Sequence, residues 1–430
     1  MSDFKKLLKL TWKKFGLWVM LFSIFTAVVV SLKFKDNIKY DADNIRKAVQ
    51  HMAKDTNISI DTSRIDKEFI EEADKIAKAY IEKYDLMDTD YVAPDDMDKY
   101  DKYYQKKLDK YGERFYMKEE PISRYNYYRK LLTSESLDFF KTISYDEAEK
   151  YYLSYAESFV RTNIAPVLIF VFIISLIITS LEQSLPSFEF TMMYPWRKRD
   201  EVWMKSLISF IFGLGILLII SLIGAAVLKS SDLGSAISFR GIGQMLFNNS
   251  LIVLATSILS VATGMIAGNF IGHMGMFLIA GLGVYVIRYI IYTFINVFDS
   301  SASLNFNMAF DNFEINLPRF FKPFVSILNT TSEIPEILGY LAIALIWGLI
   351  AYLVNDKISA EKAGYMVTSK PFEWIAKILG TLSLTSITFI ILNSSFSYNP
   401  SIFVNIILYV LALLLSFKLF DILFKVRLKF

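Results

Sequence analysis

Apolar residues in this chain come in long unbroken runs, not in short amphipathic stripes. Eight runs approach the roughly 20 apolar residues that an α-helix needs to cross about 30 Å of hydrocarbon. They lie at Phe15–Leu32, Ile164–Leu181, Leu207–Leu228, Ser250–Ile271, Met274–Phe298, Ile337–Val354, Ile375–Leu392 and Ile402–Phe424. Only short polar breaks separate the fourth from the fifth (Gly268–His273) and the seventh from the eighth (Asn393–Ser401). The span count therefore stands at eight, or at seven if one break fails. The pattern predicts an all-α polytopic membrane protein. Its parts are a first span within residues 1–34, a mainly helical domain at 35–160, and seven further helices within 161–430.

Lysines precede the first run, as in a signal peptide. The run is long, however, and ends in Val-Val-Val-Ser31-Leu32-Lys33 with no small-residue cleavage pattern, which predicts an uncleaved anchor. Lys and Arg placement gives the orientation. Lys5, Lys6, Lys9, Lys13 and Lys14 precede the first span. Arg197, Lys198, Arg199 and Lys205 lie between the second and third, and Lys357, Lys362, Lys370 and Lys377 between the sixth and seventh. Lys425, Arg427 and Lys429 close the chain. These loops are expected on the cytoplasmic side of the cell membrane, with both termini. Residues 35–160 are then expected outside.

That insertion holds 22 basic and 28 acidic residues and 16 of the 25 tyrosines. Ile65, Phe69, Ala73, Ile76, Tyr80 and Tyr84 recur every three or four residues and predict an amphipathic helix. Ser144 and Glu147 form a capping box opening another, which continues through Tyr151, Tyr152, Tyr155 and Phe159. Pro94 and Pro121 are expected to punctuate the domain. The tyrosines suit either a recognition surface or the core of a small domain without disulfides.

Composition narrows the chemistry. The chain is 54% hydrophobic and 21% charged, with mean hydropathy +0.37. A net charge of +3 gives no nucleic-acid footprint. Cysteine is absent, and the two histidines, His51 and His273, provide no metal set; His51 with Asp55 one turn away is two groups, not a site. No Gly-x-x-x-x-Gly-Lys-Ser/Thr loop is present to hold nucleotide phosphates. No His-Glu-x-x-His, Gly-x-Ser-x-Gly or intramembrane carboxylate pair suggests an enzyme or a proton-coupled carrier.

The most distinctive polar stretch begins at Glu182. It is basic and aromatic, with Phe188, Phe190, Trp196 and Trp203 among its anchors. Such a segment suits a membrane surface or a groove on a soluble partner. Its core, Met-Met-Tyr-Pro195-Trp196-Arg197-Lys198-Arg199-Asp-Glu201-Val-Trp-Met-Lys205, resembles the cytoplasmic connection of permeases of ATP-binding-cassette (ABC) exporters of the second bacterial class. A second stretch, from Ile358 through Glu361, Gly364 and Lys370 to Pro371, is similar to the segment after the sixth span in Gram-positive permeases of the Ytr type. Eight spans instead of six and a long outer insertion depart from that pattern.

The resemblance implies a transport subunit without enzymatic activity of its own. ATP and Mg would be bound by a separate cytoplasmic ATPase subunit, and a second permease, identical or related, would complete the assembly in the lipid. Residues 182–205 would be the coupling element, with Glu182, Pro195, Trp196, Arg197, Lys198, Arg199, Glu201 and Lys205 as its contacts. A peptide, an antimicrobial or a lipid-linked compound would be the cargo. The other reading is a membrane sensor or scaffold that receives an extracellular ligand through residues 35–160.

Two features lie inside the runs. Arg288 is flanked by Tyr285, Tyr289 and Tyr292. A cation at that depth is costly. It is expected to meet an anionic substrate group, to form an interhelical salt bridge, or to sit in an aromatic belt where the span re-enters, or ends, near Tyr292. Gly264, Gly268 and Gly272 repeat every four residues and are expected on one face of a single helix, for close packing.

Overall fold

The computed structural model describes residues 2–86, 105–110, 112, 114–133, 159–160, 163–185, 197–237, 239, 242–329, 333–356, 362, 364–395 and 401–428. Among these residues the regular structure is helical, with no β-strand. Eight helices are long and apolar enough to cross a membrane, and the chain is a multi-pass membrane protein. Two compact units divide it. One comprises Met1–Met20, Ile164–Leu217 and Phe247–Phe430, and the other Leu21–Asn163 and Leu218–Leu246.

The second unit is built on α1 (Ser2–Thr56), α2 (Lys67–Tyr84) and α3 (Arg114–Thr133). Helix α1 does not stop with its apolar run at Leu32. It continues for 24 further residues, because Ile38, Ala42, Ile45, Val49 and Met52 recur at helical spacing and are buried. Helix α2 starts where the Asp66 carboxylate accepts the Phe69 N–H at 2.9 Å, and its stripe of Phe69, Ala73, Ile76 and Tyr80 is buried as predicted. Pro121 does not punctuate the domain. It lies inside α3, which continues past it and lacks only the backbone bond that a proline nitrogen cannot donate.

Three tyrosines, Tyr80, Tyr125 and Tyr128, are core residues. Their hydroxyls are satisfied: Tyr80 donates to the Lys118 carbonyl at 3.0 Å, Tyr125 to Asp74 at 2.8 Å, and Tyr128 accepts from Asn44 at 3.1 Å. Tyr40, Tyr116 and Tyr127 are exposed. The turn after the third span belongs to the same unit. Asp232 pairs with Arg46 at 3.3 Å, and the Ser235 hydroxyl donates to the Ile65 carbonyl at 3.1 Å. The capping box at Ser144, the tyrosines 151, 152 and 155, and Pro94 lie outside the described residues.

The first unit contains α4 (Ile164–Leu176), continued by a π-helical turn (Ile177–Leu181) and a last helical turn (Glu182–Ser184). Then come α5 (Asp200–Lys229), whose far end enters the second unit, α6 (Ile242–Ile266), α7 (Phe270–Phe298) and α8 (Ser300–Asn316). Short helical turns at Arg319–Phe321, Lys322–Val325 and Ile327–Asn329 lead to α9 (Ile334–Asn355), α10 (Lys370–Ser394) and α11 (Ile402–Lys425). Helix α6 is the centre: 83% of its apolar window is buried, against 17% for α11. Its residues Ile252, Ala255, Ile258 and Leu259 pack on Ile337, Tyr340, Ile343 and Ala344 of α9. Val297 of α7, Phe389 of α10, and Leu408, Tyr409 and Ala412 of α11 form a second cluster.

Candidate functional site

One end of the first unit brings together Glu182, Lys198, Arg199, Glu201 and Lys205. Lys205, one turn into α5, is buried, with its ammonium 2.9 Å from Glu182 and 3.4 Å from Glu201. Glu201 precedes Lys205 by four residues on the same helix, and Glu182 comes from the end of the α4 segment. Two carboxylates around one ammonium satisfy a cation that burial would otherwise penalise heavily.

The entry to α5 is also tied to the end of α9. Asn355 donates to the Lys198 carbonyl at 2.5 Å. The Arg199 N–H reaches Asp356 at 3.3 Å, its guanidinium lies 3.9 Å from the same carboxylate, and it stacks 5.4 Å from the Tyr352 ring centre. Gly348 leaves room for the Trp203 ring, which a Cβ there would meet at 2.9 Å. Arg197 is exposed at the mouth of this arrangement. Pro195 and Trp196 lie outside the described residues.

Gly264, Gly268 and Gly272 are not on one helix. Helix α6 ends at Ile266 and α7 begins at Phe270, because Asn269 caps α7 by accepting the Gly272 N–H at 2.9 Å. The glycines still permit close approach, but largely to a loop backbone. A Cβ at Gly272 would overlap the Met366 carbonyl, and one at Gly268 the Tyr365 carbonyl. The turn and that loop are knitted together. Gly268 N–H donates to Met366 O at 3.2 Å, Gly364 N–H to Gly268 O at 2.8 Å, and Thr368 N–H to Ile266 O at 3.0 Å. Leu428 in the tail donates to Gly364 O at 2.8 Å. Gly364 has φ +89°, which favours glycine. The turn between the fourth and fifth spans, the loop between the sixth and seventh, and the tail thus form one backbone platform.

Arg288 is buried within a continuous α7, so the span neither ends nor re-enters near Tyr292. Its partners lie on α8. Nε donates to the Asn307 side-chain oxygen at 2.8 Å, one Nη reaches Asp311 at 2.7 Å, and the other lies 3.7 Å from Glu314. Phe310 stacks on the guanidinium at 4.6 Å and Tyr285 lies at 5.4 Å. Tyr289 and Tyr292 are half-buried nearby on α7. The geometry is an interhelical ion pair whose positive charge is balanced within the chain. Helix α8 itself had no counterpart among the predicted elements.

One buried group had no sequence signal beyond its residue type. His273 has no exposed surface. Its Nδ1 lies 3.0 Å from the Ser180 hydroxyl and its Nε2 2.8 Å from the Ser260 carbonyl. Among the described residues no group of three or more His, Asp or Glu side chains has metal-site geometry. No protein-family model matches this chain, and neither a curated protein nor a solved structure does.

Proposed function

We propose that the chain is the membrane-spanning subunit of an ATP-driven exporter in the cell membrane, moved by a separate cytoplasmic ATPase that engages the basic end of the bundle. The observation that carries this reading is the double anchorage of the 185–200 connection. One side is held through Glu182, Glu201 and Lys205, and the other through Lys198 and Arg199 to Asn355 and Asp356. A push on this connection reaches the ends of α4, α5 and α9 together, which is what a coupling lever requires. Arg197, exposed beside it, is suited to an acidic rim on the ATPase.

Within the second unit the insertion is tied to the turn after α5 through Arg46–Asp232 and Ser235–Ile65. In this reading, on the placement of Lys and Arg, residues 35–160 are extracellular and both termini cytoplasmic. ATP and Mg belong to the ATPase, and a second permease copy or a relative completes the translocation path.

Purification of the tagged chain from its native membrane in mild detergent tests the reading. An ATPase subunit is expected in stoichiometric amount, and Arg197→Glu with Arg199→Glu is expected to abolish the stimulation of its ATP turnover. An intact, folded chain that brings no ATPase overturns it and favours the sensor.

A further inference from the structure

The end of α4 carries hydroxyls at Thr179, Ser180 and Ser184. Each bonds back to the carbonyl four residues earlier: Thr179 to Ser175 at 2.5 Å, Ser180 to Leu176 at 3.3 Å and Ser184 to Ser180 at 2.9 Å. Hydroxyls that occupy those carbonyls compete with the backbone ladder and bend helices. Here the ladder widens into the π turn Ile177–Leu181. Single π turns are uncommon and concentrate at functional positions. The first residue beyond this one is Glu182, the partner of Lys205.

A single imidazole fastens the π turn to the centre of the bundle. The Ser260 carbonyl is purely an acceptor, so the His273 Nε2 2.8 Å away must carry the proton. In the neutral ring Nδ1 is then an acceptor, and the Ser180 hydroxyl 3.0 Å away is its donor. Gly264 on α6 leaves the space, since a Cβ there would overlap the Thr179 hydroxyl and come within 2.7 Å of the imidazole. Phe172 lies against the ring at 5.1 Å. His273 sits on α7, holds α6 by Nε2 and holds the π turn by Nδ1. The Ser180 hydroxyl has one proton and two acceptors, the imidazole and the Leu176 carbonyl. It can therefore leave the histidine without being stranded.

We infer that the π turn Ile177–Leu181 is the hinge on which the Glu182–Lys205 contact moves, and that His273 is the positioning residue that holds the hinge through Ser180. The inference rests on the reading of 182–205 as a coupling element. Motion of that element is absorbed at the π turn, while α4 before it stays fixed on α6.

Amide hydrogen exchange on the full chain in lipid nanodiscs tests it, with Ser180→Ala, His273→Leu and, as a control, Ser175→Ala. Ser175 bears an equally buried hydroxyl, bonded to Ser209 at 2.9 Å and not to the imidazole. Loss of one buried hydrogen bond is expected to raise exchange about tenfold. In Ser180→Ala that rise should be confined to residues 177–185, with 164–174 unchanged, whereas the control, which loses the bond to Ser209 instead, should match wild type over 177–185. His273→Leu should raise exchange over 177–185 likewise, with an added rise near Ser260 from the lost Nε2 bond, and, in the ATPase complex, lose stimulation of ATP turnover. Unchanged exchange in Ser180→Ala, or a rise spread evenly over α4 and α6, overturns the hinge. Because Ser180→Ala removes one atom, this arm does not depend on whether the histidine variant folds. If no ATPase accompanies the chain, the coupling reading fails, while the exchange pattern still decides for or against the hinge.

Discussion

Lys205 Nζ, itself buried, lies 2.9 Å from the half-buried Glu182 Oε2, joining the start of α5 to the end of the α4 segment. Removing the lysine takes away the ammonium that Glu182 and Glu201 both face. Breaking one side of a buried pair costs about 3–5 kcal/mol. Lys205→Met should therefore lower the thermal stability of the detergent-solubilised chain markedly. Adding Glu182→Gln to that variant should recover part of the loss. A double variant no more stable than the single would show that the pair is not coupled.

Arg288 and its α8 partners predict an asymmetric response. Asp311 is half exposed, so Asp311→Asn should change stability by at most about 1 kcal/mol. Arg288→Met leaves Asp311 and Glu314 beside an apolar helix and should loosen α8 from α7. Limited proteolysis within residues 300–316 reads this directly. Cleavage should accelerate in Arg288→Met and stay near the wild-type rate in Asp311→Asn.

The platform under α7 predicts opposite outcomes for two glycines on one helix. A Cβ at Gly272 would collide with a carbonyl of the Met366 backbone, which cannot swing aside. Gly275 faces open space. Gly275→Ala should be neutral or stabilise by up to about 1 kcal/mol through helix propensity. Gly272→Ala should destabilise by more than that. Melting of the two variants side by side checks the contrast.

In the second unit, two carboxyl groups have opposite pH signatures. A hydrogen bond from Lys107 at 2.6 Å holds the Asp85 carboxyl below its ordinary value of 3.8. Its stabilising contribution is complete above that value and is lost as the pH falls through the depressed one. Burial pushes Glu119 above its ordinary 4.5, so its ionised form opposes folding at neutral pH and protonation relieves it. Glu119→Gln should slow hydrogen exchange in α2 and α3 at pH 7 and have no effect near pH 4. A benefit that persists unchanged at pH 4 would refute the burial account.

The spans were legible because long apolar runs with few charges have little alternative to crossing a membrane. The α2 stripe was legible because its period of three to four falls on Phe69, Ala73, Ile76 and Tyr80. The continuation of α1 had the same signal in Ile38, Ala42, Ile45, Val49 and Met52, obscured because the change at Leu32 from a continuous apolar run to a charged, amphipathic stretch looks like an end. Helix α8 was hidden by its many Asn and Ser residues, and Arg288 meets carboxylates 23 and 26 positions downstream, which no local spacing announces. The glycine repeat misled because four-residue spacing outweighed Asn269, a helix-capping residue whose place before an apolar run marks a start. His273 finds Ser180 93 positions away, a distance at which pattern carries no information.

The unbroken course of α1 turns its residue count into an angular setting. Each residue added within it rotates everything beyond by about 100° and advances it about 1.5 Å. One residue inserted after Phe34 would swing Ile38, Ala42, Ile45 and Val49 away from the interior they fill. Seven inserted residues would bring them back to within about 20° of their bearing while sliding them roughly 10 Å along the axis. Evolution of this segment is therefore free to change side chains but constrained to add or remove them in near-whole turns.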